Sequence, residues 1–104
     1  MIRVNYLREE GRHRLSVTGH AGYATHGNDI VCAGVSGISY ALLGYLHNIG
    51  CDITKAHTDS GQLQLDVMGD EMTAGAFNMA LVGYLQIAKK YPQHVDVYIA
   101  SPGG

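Results

Sequence analysis

The chain has 104 residues, 46% of them apolar, and a net charge of −2 with its histidines neutral. That length suits one small domain over residues 1–104, and the apolar share is enough for a core, which excludes a disordered chain. No basic patch invites direct contact with nucleic acid, no basic stretch leads into an apolar run as a signal peptide would, so the expected address is cytoplasmic, and two cysteines in such a chain read as free thiols.

Met1 to Arg8 alternates apolar and polar residues and predicts a strand. Glu9 to Arg12 reads as a charged turn, and His13 to Thr18 alternates again, so the two segments make a hairpin. From Gly19 to Val31 the chain is glycine-rich and irregular, a long loop of the kind that often carries function. A helix is predicted from about Cys32 to Asn48, where Val35, Ile38, Leu42, Tyr45, Leu46 and Ile49 recur at helical spacing. Asp29 is its candidate N-cap and Gly50 its stop. Cys51 to Thr58 reads as a strand, Asp59-Ser60-Gly61 as a turn, and Gln62 to Val67 as the clearest strand, with Leu63, Leu65 and Val67 on its buried face. Met72 to Tyr91 predicts a second helix ended by Pro92, Val95 to Ile99 a last strand, and Ser101 to Gly104 a frayed tail. The order ββαββαβ argues for an α+β fold, with two helices on one face of a mainly antiparallel sheet.

No charge falls between Asp29 and Asp52, or between Glu71 and Lys89. Helices neutral all round call for burial on more than one side, which a domain this small does not supply alone. A membrane span is disfavoured by Gly34, Ser36, Gly37, Ser39, Gly44, His47 and Asn48 within the first segment. A homo-oligomer that covers the outer helix faces is the expectation.

His20 and Cys32 carry the chemistry. A thiol at a helix start gains from the partial positive charge there, and a neighbouring imidazole can serve as its base. The N–H groups of Cys32 and Ala33 are the expected oxyanion donors. Strand parity puts His20 on the face of Ser16 and Thr18, so Gly19 must break the register for His20 to reach the helix end. Asp29 either caps the helix or orients the imidazole, with capping or loop ordering favoured. Gly22 belongs to a loop able to close over a peptide. Ser36, one turn after Cys32, either hydrogen-bonds near the site or packs.

Alternatives stand beside this reading. A buried cysteine is commonly an inert small hydrophobe, which is the reading for Cys51. His26 lies in the same loop and could replace His20. His20, His26 and Cys32 match no common zinc spacing and lack a fourth ligand. His13, His47, His57 and His94 read as solvated or packing residues, and Tyr40, Tyr45 and Tyr84 as core or interface. No phosphate-cradling glycine motif is present.

In this tract the sequence resembles the ribosomal-processing cysteine protease family, Prp. The match is Gly19-His20-Ala21, then Asp29, Val31, Cys32, Ala33, Val35 and Ser36, and the order of elements agrees over essentially the whole chain. Gly34 stands where the family more often has alanine, a change that keeps the residue small. The resemblance implies a cytoplasmic bacterial endopeptidase that removes the N-terminal extension of a large-subunit ribosomal protein. It implies His20 and Cys32 as the catalytic dyad, a homodimer, and no metal or organic cofactor. Two rivals remain: a non-catalytic ribosome-associated module that binds a peptide, and a thiol redox sensor centred on Cys32.

Overall fold

The alternating segments form strands and the uncharged segments form helices. In the computed structural model, which describes residues 1–25, 27–59 and 62–101, the elements are β1 (Ile2–Glu9), β2 (Arg12–Thr18), α1 (Ile30–Ile49), β3 (Asp52–Asp59), β4 (Gln62–Met68), α2 (Glu71–Lys90) and β5 (Val95–Ala100). The sheet order is β3-β4-β2-β1-β5. Every pairing is antiparallel except β1 with β5, where Ile2 faces Val95 and Val4 faces Val97.

Alternation gives the sheet one apolar face. Ile2, Val4 and Tyr6 of β1, Leu15 and Val17 of β2, and Leu63, Leu65 and Val67 of β4 are buried there. The helices cover that face with residues three and four apart: Val31, Val35, Ser39, Leu42 and Leu46 from α1, and Thr73, Phe77, Ala80, Leu81 and Tyr84 from α2. The expected architecture is thus the observed one. The helices approach closely at Gly83, where a Cβ would lie 2.8 Å from the Ile38 side chain. They are tied across by Ser39: its hydroxyl donates to the Val35 carbonyl at 2.9 Å and accepts from the Tyr84 hydroxyl at 2.7 Å. Burial pushes the Tyr84 phenol up to about 12, against the opposing effect of the Ser39 bond.

Boundaries differ from the sequence reading by a residue or two, and α1 shows why. Asp29 accepts hydrogen bonds from the Val31 and Cys32 N–H groups, so the helix begins at Ile30 and Cys32 is its third residue. Asp70 does the same for α2 through Met72 and Thr73. Gly50 stops α1 in the left-handed conformation, its N–H reaching the His47 carbonyl. The expectations for His26, for the Ser60-Gly61 turn and for the tail at 102–104 lie outside the described residues.

By length and composition α1 could cross a membrane, with a mean hydropathy of 1.5. Here its Val31, Val35, Leu42 and Leu46 side belongs to the core. The outer side of the helical layer stays apolar and open. Tyr40, Tyr45, Met72, Met79, Val82 and Leu85 are exposed, whereas Tyr84 is fully buried. Ile38, Leu42, Tyr45, Met72, Ala76 and Met79 are among the residues lining a groove of about 710 Å³ between the helices.

Candidate active site

β2 ends at Thr18, opposite Arg3, and the chain then turns. Gly19 makes that turn with φ of +88°, and a Cβ there would strike the Met1 carbonyl oxygen. The position therefore excludes side chains twice, by backbone conformation and by space. This is the register break that strand parity demanded. It leaves His20 exposed and Ala21 buried at the mouth of α1.

His20, Gly22, Ala24, Gly27, Asp29, Cys32, Ala33 and Ser36 line one open cleft of about 410 Å³. All seven residues proposed from the sequence for the site, except Gly19, are on that wall, and Gly19 aims the segment toward it. Cys32 is half-buried and free. Its sulfur accepts the Ala21 N–H at 3.3 Å. Among the described residues, no hydrogen bond joins Sγ to the His20 ring.

Asp29 is the tie between loop and helix. One carboxylate oxygen accepts the Val31 and Cys32 N–H groups, both at 3.0 Å. The other accepts the Tyr23 and Ala24 N–H groups at 3.0 and 3.3 Å. Burial pushes this carboxyl up, but the four backbone donors, from Cys32, Ala24, Tyr23 and Val31, together hold it below the usual carboxylate range. Of the two roles open to Asp29, the geometry is that of a cap and loop tie.

The same geometry corrects one expectation. The Cys32 N–H is committed to the Asp29 carboxylate, and the Ala33 N–H to the Asp29 backbone carbonyl at 3.0 Å. Neither is left over for an oxyanion in this arrangement, because a capped helix end has spent the donors that an uncapped one would offer.

Two residues outside the tract, Tyr91 and His94, support the loop. The Tyr23 ring meets Tyr91 and His94 edge-on, with centroids 5.3 and 5.4 Å apart. His94 Nδ1 hydrogen-bonds the Ala21 carbonyl at 2.8 Å. Sequence reading placed His94 among solvated or packing residues and assigned it nothing at the site. The sheet order supplies what was missing: β1 runs parallel to β5 and antiparallel to β2, so the residue before β5 lies beside the end of β2. The backbone bond from Ile2 N–H to the His94 carbonyl marks that corner.

His13, His47, His57 and the second thiol are not among the residues of the cleft wall. His13 is buried against Phe77, and His47 and His57 are exposed. The Cys51 thiol donates to the Leu46 carbonyl at 3.4 Å and packs on the core. Among the described residues no group of three His, Cys, Asp or Glu is placed to hold a metal ion.

Known proteins resemble this chain in sequence and in fold. A family model described as cysteine protease Prp matches residues 1–96. A ribosomal processing cysteine protease Prp of Mycoplasma pneumoniae is 31% identical over 85 residues, covering 81% of this chain and 84% of that protein. The fold matches a crystal structure of the S. aureus ribosomal processing protease Prp with a covalently linked product peptide. The TM-score is 0.87, over 96% of this chain and 100% of that one, at 20% identity. A Streptococcus mutans protein matches with a TM-score of 0.76 and 28% identity, over 97% of this chain and 95% of that one.

Proposed function

This chain belongs to the cysteine protease Prp family, and from that premise we propose that it removes the N-terminal extension of a bacterial large-subunit ribosomal protein, with Cys32 as nucleophile and His20 as base. The observation that carries the proposal is the shared cleft. The family match spans the tract, and within it His20 and Cys32 line one open wall of the protein.

The steps follow from the groups present. His20 takes the Cys32 proton, and the thiolate attacks the scissile carbonyl. The helix N-terminus lends its partial positive charge to the sulfur. With the Cys32 and Ala33 N–H groups committed to Asp29 and the Ala21 N–H to the sulfur, the Ser36 hydroxyl on the cleft wall is the donor proposed for the developing oxyanion. His20 then gives its proton to the leaving amine, and a thioester joins the acyl half of the substrate to Cys32. Water, deprotonated by His20, hydrolyses the thioester and frees the thiol. The covalently linked product peptide of the S. aureus relative supports a covalent route. Apo geometry does not join His20 to the sulfur, and such bonds commonly form on substrate binding.

The domain acts as one unit over residues 1–104, in the cytoplasm, as a homodimer. The open apolar groove between α1 and α2 supports the dimer. The test is mass spectrometry of the extended ribosomal protein incubated with wild-type chain or with Cys32→Ala. A truncated product with the wild type alone supports the assignment. Intact substrate in both removes this substrate from it. Retained binding without cleavage would favour the peptide-binding module.

A further inference from the structure

The Ala21 residue sits at a junction between two side chains far apart in sequence. Its N–H points at the Cys32 sulfur at 3.3 Å, and its C=O meets His94 Nδ1 at 2.8 Å. A carbonyl oxygen only accepts, so His94 Nδ1 carries the proton in this bond. The ring has little freedom to leave. The His94 backbone N–H donates to the Tyr91 carbonyl at 2.9 Å, the His94 backbone carbonyl accepts from the Ile2 N–H at 2.8 Å, and Tyr23 lies edge-on to the imidazole.

We propose that His94 is a positioning residue for the Cys32 thiolate: by holding the Ala21 carbonyl it keeps the Ala21 N–H aimed at the sulfur. The proposal rests on Cys32 being the nucleophile. An amide donor on the sulfur favours the charged form, as any hydrogen bond to an anion does. That donor matters more here because the amide of Cys32 itself is held by Asp29. Ala21 lies between two glycines of positive φ, Gly19 and Gly22, in a segment without strand pairing, so no regular secondary structure sets its orientation. The Met1 amino group donates to the His20 carbonyl, on the peptide that carries the Ala21 N–H, and the bond from His94 holds the peptide that follows, so the two fix Ala21 from both sides.

His94→Phe removes the donor and keeps a ring against Tyr23. His94→Asn keeps an N–H donor at the position of Nδ1. The measurement is the rate of iodoacetamide alkylation against pH, read on the Cys32 peptide by mass spectrometry so that Cys51 does not contribute. In His94→Phe the rate at neutral pH falls by about three- to tenfold, and the profile moves to higher pH, a tenfold change being one pH unit. His94→Asn stays near wild type. A purely electrostatic influence of the imidazole would not survive in the neutral amide, so rescue separates positioning from charge. If His94→Phe fails to fold by circular dichroism, His94→Gln replaces it, since its amide reaches the place of Nε2 rather than Nδ1. A profile in His94→Phe or His94→Gln equal to wild type overturns the proposal, as does an equal loss in His94→Asn. Alkylation needs no peptide substrate, so this outcome is independent of which protein, if any, the chain cleaves.

Discussion

Asp29 and Cys32 are joined by a hydrogen bond of 3.0 Å from the cysteine N–H to the carboxylate, and the other carboxylate oxygen holds the loop that lines the cleft with Cys32. One side chain thus caps α1 and fixes the cleft wall. The two duties separate by substitution. Asn at 29 retains an oxygen for the Val31 and Cys32 N–H groups and loses the second acceptor for Tyr23 and Ala24. Asp29→Asn is expected to cost little in thermal stability and to lower peptide cleavage several-fold. Asp29→Ala loses the cap as well, about 1 kcal/mol or somewhat more. Melting curves and kcat/KM on the two variants check both statements.

Gly19→Ala tests the turn that delivers the loop. The residue would be forced to φ of +88° with its Cβ against the Met1 carbonyl oxygen. The conformational strain alone is about 1–3 kcal/mol, and relief requires moving either β1 or the segment that carries His20. Chemical denaturation is expected to show a loss in that range or above it. Cleavage should fall further than the unfolded fraction explains, because relief displaces His20 and Ala21.

The fold was legible because its signals are local. Leu63, Leu65 and Val67 alternate in a short strand, and Asp29 and Gly50 bracket α1 as side-chain and glycine caps do. His20, Asp29, Cys32 and Ser36 were legible because the motif is confined to one tract. Two things were not. The consumption of the Cys32 and Ala33 N–H groups is a matter of hydrogen-bond accounting, since a residue named as a cap has donors assigned to it. The bond from His94 to Ala21 spans 73 residues, and only the parallel pairing of β5 with β1 brings its two ends to one corner. No spacing rule reaches that far.

The outer helical groove should respond to a single charge. Met79 is 75% exposed, lies on the lining of that groove, and makes no part of the buried core. If a second copy covers this face, Met79→Glu buries an unpaired carboxylate at the interface and costs several kcal/mol of association. Light scattering at micromolar concentration is then expected to give a dimer for the wild type and a monomer for the variant, with unchanged far-ultraviolet circular dichroism. A monomeric wild type would leave the groove without a second copy.

His13 gives the fold a pH dependence of definite sign. Arg8 Nε donates to the Tyr6 hydroxyl at 2.8 Å, and that hydroxyl shares a hydrogen bond of 2.6 Å with His13 Nδ1. A ring charged there would stand buried beside the Arg8 cation, which favours the neutral form. The His13 face stacks on Phe77 at 4.8 Å with planes 5° apart. Burial pulls the His13 imidazole below its usual range, and the Arg8 charge lowers it further. The unfolded chain thus binds this proton more readily than the folded one. Stability from this group is complete above the unfolded value near 6.5 and falls as pH drops through that value toward the folded one. Asp29 and Asp66, whose carboxyls are held low, keep their contributions until more acid pH. The expected result is a melting temperature several degrees lower at pH 5 than at pH 7, in a range where those carboxylates remain ionised. His13→Gln lowers stability at both pH values, because the stack on Phe77 is lost, and flattens the difference between them. An equal slope in wild type and His13→Gln would assign the acid sensitivity to other groups.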